Sequence, residues 1–306
     1  MSIQLILLDL DGTLLTSDKQ LTPASRTALE KAAAAGIHIV PSTGRFFQAI
    51  PQIIRDLPFI RYFVTINGAQ IYDRETDTVL YRGEISPQDA EAIYDRLEQF
   101  PLIYDCYCDD QAFMPADHFQ RVEEFITDPH LRQLVTGLRQ PLEDFRGAMR
   151  GKGAQKIQAF FPTKEQRIET ARTLMWDFPH MALTNSYPCN LEINTRAASK
   201  GEALRFLCQH LDIPIRDSMA FGDGSNDLSM IQAAGFGIAM ANAEESLKTS
   251  AKYVTDSNDE DGVAKAMEHF CIHPLDSEPP YEDPEEQQRN ASPLTKLKNL
   301  LSGEKN

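Results

Sequence analysis

Leu5-Ile6-Leu7-Leu8-Asp9-Leu10-Asp11-Gly12-Thr13 decides how the chain reads. The apolar run from Ile3 to Leu8 has the length of a fully buried strand rather than a helix, and it ends in two carboxylates. Asp9 and Asp11 are one strand repeat apart, so both side chains tend to leave on one side. Gly12 and Thr13 let the chain turn away. Ligands of open α/β sheets bind beyond the carboxyl ends of the strands, so the stretch reads as a first strand delivering two acids to a site. Carboxylates this close repel unless a cation lies between them or one is protonated. A hard cation such as Mg2+ suits oxygen ligands, and a carboxylate is also a nucleophile. The spacing alone is equally compatible with a strand that ends in a turn, where Asp is common.

Working outward, the chain alternates strand and helix. Thr22 suits an N-cap and Pro23 a first helical position, Arg26 to Ala35 is rich in helix formers, and Gly36 fits just past a helix end. Ile37-His38-Ile39-Val40 follows as a second strand, which makes a parallel βαβ unit. It ends in Pro41-Ser42-Thr43-Gly44-Arg45, which offers a hydroxyl, a pliant backbone and a guanidinium. Phe46 to Leu57 reads as a helix kinked at Pro51, and Tyr62 to Ile66 as a third strand. Asn67-Gly68 is a hairpin turn before antiparallel strands at Ala69 to Tyr72 and Val79 to Tyr81. Ser86-Pro87 opens a helix to about Phe100.

From about residue 85 the pattern changes. Strands at Ile103 to Cys108, Ala112 to Pro115 and Lys156 to Phe161 mix with helices at His118 to Ile126 and Lys164 to Asp177, with Met175 and Trp176 read as helix core. The α/β pattern resumes at Leu191-Glu192-Ile193. Ser199-Lys200-Gly201 leads a helix, and the strand Ser218 to Phe221 runs into Gly222-Asp223-Gly224-Ser225-Asn226-Asp227. The expected fold is α/β, a Rossmann-like, mostly parallel sheet core with an inserted α+β cap domain. The core is expected at 1–84 and 189–273, the cap at 85–188, and an acidic, proline-rich tail at 274–306 with amphipathic spacing over Leu294 to Leu301.

Composition sets outer limits. The 306 residues carry a formal net charge of −15, which argues against nucleic acid as a main partner. It leaves room for an anionic small substrate, because a metal and a few local cations invert the sign of one pocket. No stretch approaches the ~20 apolar residues of a membrane span, and the opening apolar run lacks a basic flank, which argues against a signal peptide. Five scattered cysteines show no zinc spacing and read as reduced thiols of a cytoplasmic protein. The oligomeric state is not readable from these features.

Four strand ends or helix starts carry functional chemistry: Asp9 with Asp11, Thr43, Lys200, and Asp223 with Asn226 and Asp227. A parallel sheet gathers its strand C-termini along one edge. The set offers a metal-binding acid cluster, a nucleophile, and hydroxyl, amide and ammonium groups around a tetrahedral anion. In this order the stretches resemble the four motifs of the haloacid dehalogenase superfamily. Asn67-Gly68-Ala69 is similar to the segment after the third strand in its Cof-type phosphatase branch, and the insertion matches the C2 cap position of that branch. The resemblance covers about residues 1–272.

The resemblance implies a Mg2+-dependent phosphatase of small phosphate monoesters, such as sugar phosphates or phosphorylated cofactors, working through an aspartyl-phosphate. It implies Asp9 as nucleophile, and Asp11 as general acid and base whose carbonyl also binds Mg2+ beside Asp9 and Asp223. Asp227 supports the metal, while Thr43, Gly44, Lys200 and Asn226 hold phosphate. The Asp9 charge is expected to raise the pKa of Asp11. Arg45 either touches substrate phosphate or pairs with a nearby acid, and Asn67 is a turn residue that also has a place near substrate. Arg150-Gly151-Lys152-Gly153 either meets an anionic substrate or is solvated. A phosphomutase acting on a sugar phosphate and a non-catalytic binding or regulatory protein remain alternatives. A receiver-like signalling domain fits the length and the opening motif poorly.

Overall fold

Every side chain of β1 (Leu5–Leu8) is fully buried, as a strand covered on both faces must be. Each such side chain contributes roughly 1.5–3 kcal/mol of hydrophobic stabilisation before chain entropy is counted. The computed structural model describes residues 3–272; the expected tail and its amphipathic stretch at 294–301 lie outside the described residues. The remaining strands are β2 (His38–Pro41), β3 (Tyr62–Thr65), β4 (Gln70–Asp73), β5 (Thr78–Arg82), β6 (Ile103–Cys108), β7 (Gln111–Pro115), β8 (Arg139–Leu142), β9 (Lys156–Phe160), β10 (Met181–Thr184), β11 (Asn190–Thr195), β12 (Ser218–Gly222), β13 (Phe236–Ala239) and β14 (Tyr253–Val254).

The core sheet runs β14-β13-β12-β1-β2, and every neighbouring pair is parallel. Leu8 lies opposite Pro41 on one side and Phe221 on the other. That register brings the residues after β1, β2 and β12, namely Asp9, Thr43 and Asp223, to one edge. The α/β expectation therefore holds, and its local chemistry is as anticipated for the first crossover. Thr22 caps the helix Pro23–Ala34 by accepting from the Ser25 amide, and Pro23 stands in its first turn. Among the described residues, no helix is long and apolar enough to cross a membrane.

β3, β4 and β5 form a three-stranded antiparallel sheet joined to the core by a parallel bridge between Ser42 and Val64. The Asn67-Gly68 turn joins β3 to β4, with Asn67 left-handed at φ 58°. The expected kinked helix over 46–57 is instead two short pieces, Phe47–Ala49 and Gln52–Arg55. Pro51 breaks it, because the residue before proline is pushed out of the helical region and Ile50 sits extended at ψ 132°.

The inserted layer is a six-stranded sheet, β10-β11-β9-β6-β7-β8, antiparallel except between β7 and β8. β11 contains Leu191-Glu192-Ile193, read above as the return to the core, yet it pairs with β9 and β10 in this layer. A fully buried strand looks the same in either sheet, so burial pattern did not discriminate. Met175 and Trp176, read as helix core, are 61% and 87% exposed near the end of Lys164–Asp177. The buried positions of that helix are Thr170 and Leu174. A helix at Pro129–Leu138, capped by the Asp128 side chain, was not anticipated.

Candidate active site

The edge where β1, β2 and β12 end opens into a cavity of about 240 Å³ between core and cap. Asp9, Asp11, Thr43, Gly44, Arg45, Asp223 and Asn226 line it. Lys200, Asp227 and Asn67 stand behind that lining. Ser199 caps the helix Lys200–His210 by accepting from the Glu202 amide, so Lys200 starts the helix at the strand edge. Its ammonium is fully buried and donates to Asp9 Oδ1 at 2.6 Å and to Asp227 Oδ1 at 2.5 Å. Asp227 Oδ2 accepts from the amides of Asp223 and Gly224, each at 3.0 Å. Asp223 Oδ1 accepts from the Thr13 hydroxyl at 2.8 Å.

Asp9, Asp223 and Asp227 each place a carboxylate oxygen within 4.8 Å of the others. Burial pushes Asp9 well above the usual carboxylate range; Lys200 pulls it down, and the charges of Asp227 and Asp223 add to the rise. Burial, with Asp227 next, pushes Asp223 up to about 7. Burial works against the charge of Lys200, but Asp227 and Asp9 outweigh it and raise its pKa. Two acids thus share one ammonium, and a third stands beside them. That surplus negative charge, held on oxygen donors alone, fits a hard divalent cation. Gly12 leaves the necessary room: its φ is +85°, and a Cβ there would lie 2.4 Å from Asp223 Oδ2.

The Asp11 carboxylate points elsewhere. It accepts from Arg45 Nε at 2.7 Å and Nη2 at 2.8 Å, and Lys19 Nζ lies 2.9 Å from it. Burial disfavours its charge, but the bonds and charge of Arg45, with Lys19, prevail and hold the carboxyl down at about 2. The expected rise under the influence of Asp9 is therefore not found, because two cations stand nearer than the sequence revealed. Arg45 takes the acid-pairing role of the two foreseen for it.

Thr43 is buried, and its Oγ1 accepts from the Arg45 amide at 3.2 Å. Gly44 offers its carbonyl to Lys156 Nζ at 2.8 Å. Asn67 does not line the cavity but joins the cap to the last core motif. Its Nδ2 donates to Glu192 Oε2 at 2.6 Å and Asn194 Oδ1 at 3.3 Å, and its Oδ1 accepts from Asn226 Nδ2 at 3.2 Å.

Sequence reasoning missed the cap side of the cavity. Tyr107, Arg139, Lys156, Gln158 and Glu192 line it, whereas the Arg150-Gly151-Lys152-Gly153 loop does not. A signal was present. Asp105 and Tyr107 in β6, Lys156 and Gln158 in β9, and Glu192 and Asn194 in β11 are polar residues at strand period inside apolar runs, and all six are buried. Registration places Asp105 opposite Gln158, Tyr107 opposite Lys156, and Gln158 opposite Glu192, so they form one polar face.

Comparison with known proteins agrees with this geometry. A family profile described as haloacid dehalogenase-like hydrolase matches residues 6–267. The chain is 31% identical to the phosphatase YwpJ of Bacillus subtilis, over 88% of this chain and 100% of that one. It is 29% identical to the 5-amino-6-(5-phospho-D-ribitylamino)uracil phosphatase YcsE of the same organism, over 88% and 96%. Among solved structures, a haloacid dehalogenase subclass IIB sugar phosphatase, BT4131, superposes with a TM-score of 0.74 at 26% identity, covering 87% of this chain and 98% of that one.

Proposed function

The chain belongs to the haloacid dehalogenase-like hydrolases and is a phosphatase of that family; on that basis we propose that it hydrolyses small phosphate monoesters with Mg2+, through a phosphoryl group carried on Asp9. The observation that carries the reading is the Lys200 ammonium bonded at once to Asp9 and Asp227, with Asp223 completing the acid cluster. A purely structural role gives no reason to set three carboxylates beside one buried ammonium, and a receiver-like domain fits the length and the opening motif poorly.

Uncatalysed hydrolysis of such esters is slow enough to need up to ~10^21-fold acceleration. The transition state is loose and spreads charge over the phosphoryl oxygens, so positioning and positive charge do most of the catalysis. Asp9 attacks phosphorus through a carboxylate oxygen while Lys200 keeps that carboxylate oriented and neutralises charge. Thr43, the Gly44 backbone and Asn226 bind the phosphoryl oxygens. Asp11 gives its proton to the departing alkoxide, then takes one from the water that attacks the acyl-phosphate, which frees phosphate and restores Asp9. To act as the acid, Asp11 must first lose its bonds to Arg45 and Lys19 and take up a proton from solvent, which becomes possible once those cations no longer hold its carboxyl low. The negative substrate supplies a competing partner for both cations. Mg2+, held by Asp9, Asp223 and the Asp11 carbonyl with Asp227 in support, would bring further positive charge to the phosphoryl group.

The segment carrying the six-stranded sheet serves as a cap that excludes water and selects the alcohol. The relatives named for a ribitylaminouracil phosphate and for sugar phosphates support small esters as the substrate class. Five free cysteines support a reducing, cytoplasmic setting. Phosphate release from a panel of small esters, with Mg2+, with EDTA and in Asp9→Asn, tests the reading. Metal-dependent release that is lost in the variant is expected. Turnover unchanged by Asp9→Asn overturns it, and an isomerised ester in place of free phosphate makes the protein a mutase.

A further inference from the structure

We propose that the alcohol part of the substrate carries a flat, largely apolar ring with a hydrogen-bond acceptor on its edge, held between the leucine face of Pro129–Leu138 and the Arg139 guanidinium. This rests on the phosphatase reading of the same cavity and names what its cap side accepts.

Leu131, Leu134 and Leu138 line the cavity. Their spacing of three and four residues puts them on one face of the helix. That wall bears no hydroxyl, amide or charge. A sugar laid against it gains no partner from these three side chains, and its hydroxyls would have to turn to Gln158, Ser186, Tyr187 and Glu192 elsewhere in the lining, whereas a ring loses nothing polar against the leucines and buries apolar area. The wall runs directly into a fixed cation, because Arg139 follows Leu138 in the chain. The Arg139 side chain is 3% exposed, yet it lines the cavity. Its Nε donates to Asp105 Oδ2 at 2.9 Å and its Nη2 to the Tyr107 hydroxyl at 2.7 Å. Those bonds, and the Tyr107 ring 5.3 Å from the guanidinium carbon, fix the plane of the group.

Arg139 Nη1 makes no hydrogen bond among the described residues. The side chain is 3% exposed and lines the cavity, and Nη1 is not one of the buried side-chain atoms that lack a partner, so this charged donor keeps contact with the cavity space, where a ligand acceptor would replace water. The other cap cation is already engaged: Lys156 Nζ bonds to the Gly44 carbonyl at 2.8 Å, is 3.4 Å from Glu192 Oε1, and lies 4.3 Å from the Tyr107 ring centre. Arg139 is therefore the cap cation with a donor to spare, and a ring carbonyl or ring nitrogen supplies the matching acceptor. The cavity of about 240 Å³, which also receives the phosphoryl group, has room for a single ring.

The test compares phosphate release by the full-length protein from pyridoxine 5′-phosphate, glucose 6-phosphate and acetyl phosphate in Mg2+. The ring-bearing ester is expected to exceed glucose 6-phosphate at least tenfold in kcat/KM. Leu134→Gln, which puts an amide on the apolar wall, is expected to cut that ratio by about tenfold through KM, and Leu134→Met to keep it. Glucose 6-phosphate turned over as well as or better than the ring ester, with acetyl phosphate hydrolysed, overturns the inference and leaves the phosphatase reading standing. A ratio that Leu134→Gln does not change also overturns it. Release from none of the three overturns both. The wild-type ratio decides even if the variant fails to fold.

Discussion

Arg45 holds Asp11 in a two-pronged grip, Nε to Oδ2 at 2.7 Å and Nη2 to Oδ1 at 2.8 Å, with a further bond from Nη1 to the Ala49 carbonyl at 2.9 Å. The acid assigned to protonate the leaving group is thus stored as a carboxylate until something draws Arg45 away. The pair also has a thermodynamic signature. A carboxyl held at about 2 when folded binds fewer protons than the unfolded chain, so its stabilisation is full above the ordinary carboxylate pKa and is lost as pH falls through about 2. The contribution is roughly 2 kcal/mol. Arg45→Ala should shrink the drop in urea-unfolding free energy between pH 5 and pH 2.5 by about that amount. An acid limb as steep as the wild type's would show that the grip carries no such free energy.

Asp223 titrates in the opposite sense. Burial and Asp227 push it up to about 7, so near neutral pH a proton and a metal compete for it. Mg2+ affinity should tighten as pH rises from 6 to 8, by up to about tenfold per unit below the pKa, and binding at pH 6 should release about one proton. Calorimetry in buffers of different ionisation enthalpy reads both quantities. Without metal, the folded state keeps this proton up to about 7 while the unfolded chain releases it near 4, so this group makes the protein less stable as pH rises through that window. Mg2+ should remove the trend.

Lys200 is fully buried between two acids, so removing it strands both. Lys200→Met should cost about 3–5 kcal/mol in stability and lower turnover by at least about a hundredfold. Adding Asp9→Asn should restore part of the stability but none of the turnover, because it relieves the stranded charge and deletes the attacking group. Chemical unfolding of the four proteins in the double-mutant cycle measures the coupling. Additive losses would mean that the two residues do not act as a pair.

Asn67 ties cap to core through Glu192, Asn194 and Asn226. Asn67→Gly keeps the left-handed turn and removes the ties, so KM should rise by more than kcat falls. Asn67→Ala also strains the turn and should cost about 1 kcal/mol more in stability than the glycine variant. Kinetics and thermal unfolding of the pair separate tether from turn. Equal kinetics in wild type and glycine variant would rule out the tether.

The core was legible because its signals are local and repeated. An apolar run ending at Asp9, a Thr22-Pro23 helix start and a Ser199 cap before Lys200 each say where an element begins or ends, and the parallel sheet then gathers the motifs at one edge. The partners of Asp11 were not legible. Lys19 and Arg45 reach it across turns, and the chain between them gives no sign of the distance. Within the cap, the strands at Ile103–Cys108 and Lys156–Phe160 and the helix Lys164–Asp177 were legible, but the cavity they form was not. The cap's cavity face is built from residues on β6, β9 and β11, which registration brings together across long stretches of chain. The exposure of Trp176 escaped for a related reason: a lone aromatic near a helix end carries no period by which to assign its face.

The most direct test of the central claim is to trap the phosphoryl group. The enzyme is mixed with a hydrolysed ester and Mg2+, quenched in acid within one turnover, digested, and mapped by mass spectrometry. One phosphoryl group on the peptide that carries Asp9, absent in Asp9→Asn and discharged on longer incubation, is the expected result. Full turnover with no phosphoryl group on that peptide, or a phosphoryl group that persists in Asp9→Asn, would contradict covalent transfer through Asp9.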